Sequence, residues 1–124
     1  MQENFEIRIR EIAKLKKGWS FGQGEPFNEE HVEIAALLAL RYYKKYALTV
    51  SGTPSVDGSI NLMFNIGDIF LDVIILPTIS EATIKYTHGI GKDKIEELWG
   101  TVPINKLDNI MEKFVNLSKE EVKS

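Results

Sequence analysis

The sequence predicts an α+β fold: two N-terminal helices packed on a twisted antiparallel sheet of about four strands, with a C-terminal helix. Three observations carry the prediction. Apolar residues recur at helical spacing as far as Tyr46. Residues 46–84 then contain no Lys or Arg, are rich in β-branched residues and carry turn signals at GTP and DG. A last helical stripe follows near the C-terminus.

In the first helix, residues 4–17, Phe5, Ile9, Ile12, Leu15 and Trp19 form the stripe and Gly18 is placed to end it. Residues 18–28, GWSFGQGEPFN, pack three Gly and one Pro into eleven positions and read as a loop. Trp19, Phe21 and Phe27 are expected to anchor that loop, at least two of them docking on the core, with Trp19 buried between both helices and the sheet. The second helix, 29–46, starts behind Asn28 as N-cap, with Glu29 and Glu30 in its first turn and Arg41, Lys44 and Lys45 near its end, each sign matching the helix dipole.

The sheet is expected over 48–102. A strand near Leu48 to Ser51 comes first. After the Asp57-Gly58 turn, Ile60, Leu62 and Phe64 alternate with Asn61, Met63 and Asn65. Ile69, Leu71, Val73 and Ile75 then face one way, and Phe70, Asp72 and Ile74 the other. Ala82, Ile84, Tyr86 and His88 alternate in the next strand. Residues 92–100 admit either a short helix ended by Gly100 or an edge strand, and the hairpin-like HGIGKDK turn favours the strand. The last helix, 104–117, carries Leu107, Ile110, Met111, Phe114 and Leu117, and the tail beyond it should fray.

Composition narrows the function classes. With 124 residues, 44% of them apolar and 27% charged, the chain suits one domain, 1–124, with a core of its own. It has no Cys, which excludes a disulfide framework, a thiol nucleophile and an iron–sulfur cluster. The net charge of −3 gives no general pull towards nucleic acid or an anionic membrane. No secretory h-region or span-length apolar run is present, so a cytoplasmic protein with no membrane contact is the expectation.

The segments GWSFGQGEPFN, TPSVDGSINLMF and FLDVIIL, in that order, resemble a widespread family of small bacterial proteins. Its members carry a helix, a G-W-D-G-x-G-A-x-P loop, a second helix, then P-T-x-D-G-G-I-x-L-E-W and L-E-I-E-I strands. The resemblance covers about residues 12–76. Ser20 stands where the family has Asp, Met63-Phe64 where it has Glu-Trp, and Asp72 retains a strand acid. It implies the fold and no particular activity, since the family has none established.

Each candidate site has a plain structural reading beside it. Gly18, Gly22 and Gly24 invite a phosphate loop, but no strand precedes them and no Gly-Lys-Ser/Thr follows. His31 and His88 fall in different elements without metal-ligand spacing, His31 reading as an exposed first-turn residue. Asp57, Asp68 and Asp72 are explained by turns and an outward strand face, and no serine sits in a G-x-S-x-G elbow. No catalytic, cofactor-binding or metal residue is therefore assigned, and an enzyme is not expected.

Two surfaces remain. Arg8, Arg10, Lys14 and Lys17 belong to a run of local charge +4 that could meet phosphates. A solvated helix face is favoured, because no helix-turn-helix or aromatic signal accompanies the charge, so nucleic acid is the lesser alternative. Met63, Phe70 and Ile74 cluster on the strand face opposite the main apolar set. Either the C-terminal helix covers them or they form an interface. The leading expectation is a non-enzymatic interaction module acting through the sheet or through the loop at residues 18–28, with a homodimer formed by this face and a neighbouring gene's product as the other candidate partner.

Overall fold

A computed structural model describes the backbone of residues 4–78, 80–89 and 91–123, with side chains as far as residue 119. Ile90, within the expected HGIGKDK turn, lies outside the described residues. Three α-helices, α1 (Asn4–Glu11), α2 (Glu29–Tyr46) and α3 (Leu107–Lys123), accompany five strands. These are β1 (Thr49–Pro54), β2 (Ile60–Ile66), β3 (Ile69–Ile75), β4 (Glu81–His88) and β5 (Ile95–Pro103). The strands form one antiparallel meander in the order β1-β2-β3-β4-β5.

Alternation decides the faces. Ile60, Leu62 and Phe64 of β2, Ile69, Leu71, Val73 and Ile75 of β3, and Ala82, Ile84 and Tyr86 of β4 are all buried. They share a core with Ile9 and Ile12, with Ala35, Ala36, Ala39 and Tyr42 of α2, and with Leu107, Met111 and Phe114 of α3. All three helices therefore lie on one face. The small residues of α2 let it approach the sheet closely, and Gly52 does the same for β1. A Cβ built on Gly52 would lie 2.5 Å from Ile9 Cγ1, so α1 sits directly on that strand.

Helix α3 is tied to α2 by a mixed cluster. Tyr42 donates its hydroxyl to Asp108 at 2.9 Å, and Arg41 reaches the other Asp108 oxygen at 2.6 Å. Phe114 meets the edge of Tyr86, which stacks on Trp99 at 5.1 Å between ring centroids. Lys113 covers the Trp99 ring from α3.

Several expectations are corrected. The sheet has five strands where about four were expected, the fifth being the favoured edge strand, in which KIEELWG pairs with β4. The first α-helix ends at Glu11, continues as a 3-10 turn over Ile12–Lys14 and is extended at Leu15. A helix to residue 17 would carry Trp19 onward along its axis, whereas the early break lets the chain fold back toward Phe27. A 3-10 turn, Ile104–Lys106, precedes α3, which then runs past residue 117 to Lys123. His31 is buried rather than exposed, at 3% accessibility, because the first turn of α2 lies against the sheet.

The loop anchors also divide. Phe27 is buried. Trp19 is half-buried rather than enclosed by both helices and the sheet: its ring covers Gly24 and leans on Phe27 at 6.0 Å, and Nε1 donates to the Glu25 carbonyl. Phe21 is no anchor, because its side chain stands fully in solvent. Ser20 and Gln23 exchange backbone hydrogen bonds of 2.8 Å, leaving Phe21 and Gly22 as the two central residues, with φ of 52° and 87°. That is a type I′ turn, and its tip points away from the body.

Candidate recognition face

The outer side chains of the sheet follow from register alone. One row across all five strands reads Ser51, Met63, Asp72, Lys85, Leu98. Its neighbours read Thr49, Asn65, Phe70, Thr87, Glu96 and Thr53, Asn61, Ile74, Thr83, Thr101. The expected trio Met63, Phe70 and Ile74 is thus brought onto one face, and Leu98 joins it. Met63 is 38% and Leu98 73% accessible, while Phe70 and Ile74 are half-buried. Helix α3 does not cover this face, since Leu107, Met111 and Phe114 pack on the opposite one.

Leu98 follows Glu96 in the unbroken hairpin register of β4 and β5, and a β-bulge comes next. Pairing passes from Ile84↔Gly100 to Lys85↔Leu98, so Trp99 is the extra residue. Gly100, at φ +101°, supplies the backbone conformation that the bulge requires. No sequence signal other than that glycine could have disclosed the shift.

The polar groups among these apolar ones are unevenly satisfied. Lys85 lies opposite Asp72 across β3 and β4, yet its ammonium pairs with Glu96 at 3.3 Å. Lys94 reaches the other Glu96 oxygen at 3.1 Å, and the two lysines hold the Glu96 carboxyl below its usual range. Asp72 Oδ1 is shut off from solvent and has no hydrogen-bond donor. Asn61 Oδ1, on the same face of the adjacent strand, is in the same condition. An acceptor left so costs about 1–3 kcal/mol, more when charged, until a donor reaches it. A shallow concavity of about 350 Å³ lies over Phe70, Asp72, Lys85 and Glu96.

Glu96 is occupied by two lysines, and Asp72 is not joined to a nucleophile or a second carboxylate in an acid–base pair.

The basic run is less open than its sequence implies. Arg10 is engaged by Glu6 at 3.0 Å and by Glu33 of α2, and these carboxylates raise its pKa. Arg8, Lys14 and Lys17 remain exposed. Among the described residues no group of three His, Asp or Glu is placed to hold a metal ion, and no helix is long and apolar enough to cross a membrane.

Fold and site together define a helix-backed antiparallel sheet protein whose second face is open and partly apolar. No protein-family model, curated protein or solved structure matches the chain.

Proposed function

We propose that this protein is a non-enzymatic interaction module of the cytoplasm and that it self-associates, two copies meeting through their open sheet faces. The carrying observation is Asp72 Oδ1, a buried acceptor without a donor in the middle row of a face lined by Met63, Phe70, Ile74 and Leu98. A second copy supplies a charge partner for the Asp72 carboxylate, reaching Oδ1 as the side chains that cover it move aside. Under a two-fold axis through the middle row, Lys85 of each protomer approaches Asp72 of the other, so the two charges satisfy both contacts at once.

The dimensions suit this. Five strands about 4.8 Å apart and seven residues rising about 3.4 Å each give a face of roughly 24 by 24 Å. That is roughly 580 Å² in projection, at the lower end of what each partner contributes to a specific interface. Met63, Phe70 and Ile74 flank the Asp72–Lys85 pair at its centre, with threonines and asparagines around them. The resemblance to the small bacterial family belongs to the same reading and adds no activity to it.

Sedimentation equilibrium on the wild type and on Phe70→Lys tests the proposal. The expected result is a wild-type dimer and a folded Phe70→Lys monomer. A monomeric wild type overturns it.

A further inference from the structure

We infer that the free edge of β1 is a second docking site, which takes up an extended peptide carrying an acidic residue as a sixth strand. This goes beyond self-association, which uses the face of the sheet and not its edge.

The backbone of β1 indicates which groups are on offer. Ser55 donates its amide to the Ser59 carbonyl, continuing the β1–β2 register, in which partner numbers fall as β1 numbers rise. Antiparallel pairs alternate between bonded and non-bonded. Thr53, Ser51 and Thr49 therefore bond to β2, while Val50 and Gly52 turn their N–H and C=O groups outward. Nothing described pairs with that edge, since β1 is the terminal strand. Pro54 ends the run of outward donors, having no N–H of its own.

A groove of about 540 Å³ runs along this edge. It is lined by five consecutive β1 residues, Thr49 to Thr53. Side chains of a strand alternate between faces, so a cavity that touches five in succession meets the strand along its backbone edge. Its helical wall is formed by Phe5 and Arg8 of α1 and Tyr43 of α2. The Phe5 and Tyr43 rings meet edge to face at 5.1 Å, and both are half-buried, leaving an aromatic floor for one apolar side chain.

Arg8 fixes the chemistry of the occupant. It is exposed and has no ion-pair partner among the described residues, unlike Arg10 two positions on. An added strand presents every second side chain to the same wall, so an apolar residue over Phe5 and Tyr43 places a carboxylate two positions along within reach of Arg8. Strand β1 of a second copy does not meet this requirement, because Thr49–Pro54 carries no charge.

The test uses a capped, labelled peptide, Thr-Leu-Thr-Asp-Thr, followed by fluorescence anisotropy and by amide hydrogen exchange at Val50 and Gly52. The expected result is saturable binding with slowed exchange at both amides. Affinity should fall about tenfold in Arg8→Gln, whose urea midpoint stays unchanged, and by a similar factor when the peptide Asp becomes Asn. Methylating a peptide amide that pairs with the edge should abolish binding. No saturation at millimolar peptide, or binding that leaves both amides unprotected, overturns the inference. Equal binding of a single-stranded RNA, lost in Arg8→Gln, replaces it with nucleic-acid contact. Protection that rises with protein concentration alone assigns the edge to a second copy. Because Phe70→Lys leaves β1 untouched, failure of the dimer and failure of this site are read separately.

Discussion

Lys85 and Asp72 stand directly opposite each other on β4 and β3 but do not pair; the lysine turns to Glu96 at 3.3 Å and leaves Asp72 Oδ1 buried without a donor. Some polar groups enclosed elsewhere in this fold find partners close by, though His31 Nε2 and Ser59 Oγ do not. Tyr42 has Asp108 and Ser118 has the Val115 carbonyl. The open face holds two of the orphaned buried atoms, the acceptors Asp72 Oδ1 and Asn61 Oδ1, next to exposed apolar groups.

Gly52→Ala tests the seating of α1. The new methyl would meet Ile9 Cγ1 at 2.5 Å, so overpacking should cost about 1–3 kcal/mol in urea unfolding. Adding Ile9→Val, which removes a methyl group near the clash, should recover part of that loss. Equal stability of Gly52→Ala and wild type would show that α1 rides further from β1.

His31 sets a pH dependence. Its ring is buried, Nε2 has no partner, and burial lowers its pKa from the ordinary 6.5 despite a hydrogen bond to the Ile75 backbone. The folded state thus prefers the neutral ring. The stabilisation is complete above the unfolded pKa of 6.5 and is lost as pH falls from there through the lower folded value. The urea midpoint of the wild type should drop between about pH 7.5 and pH 5.5, and His31→Gln should drop less. Parallel declines in both proteins would contradict this.

Tyr42→Phe tests the link between α2 and α3. Burial first, then the neighbouring Asp108, push the phenol above the usual tyrosine range, so it stays protonated and donates. Losing this hydrogen bond should cost about 1–2 kcal/mol and leave one Asp108 oxygen without its donor. Arg41→Ala removes only an exposed ion pair and should cost less than ~1 kcal/mol.

Phe21 occupies a left-handed conformation with its ring in solvent. Phe21→Gly should therefore raise stability by about 0.5–1 kcal/mol, the relief of strain exceeding glycine's entropic cost. A fall in the urea midpoint would mean that the ring makes contacts within the fold.

Much of the frame was legible from residue order. Strict alternation in β2 and β3 fixed both faces and put Met63, Phe70 and Ile74 together. Asn28 announced the start of α2, where it accepts the Glu30 amide at 2.7 Å. What stayed hidden has identifiable causes. KIEELWG, whose good helix formers left a helix open, is the edge strand that the preceding turn favoured, and pairing with β4 overrides propensity. Trp99 enters β5 as an extra residue and shifts the pairing of Gly100 to Pro103 by one position. Phe21 holds a turn position that favours Asn or Gly, which no propensity argument assigns to phenylalanine. The burial of His31 depends on how α2 lies on the sheet, and helical spacing alone does not give that. The unpaired state of Asp72 depends on which neighbour Lys85 selects, a choice made in three dimensions.

The most direct measurement mixes two charge variants. Asp72→Lys alone sets like charges against Lys85 of its twin, and Lys85→Asp alone does the same with Asp72, so sedimentation equilibrium should find each variant monomeric. In the mixture both two-fold contacts pair a lysine with an aspartate, and the account predicts a heterodimer of near wild-type stability. Two variants that remain monomeric when mixed, beside a dimeric wild type, would contradict the pairing of Asp72 with Lys85 across the axis; a monomeric wild type would contradict the dimer itself.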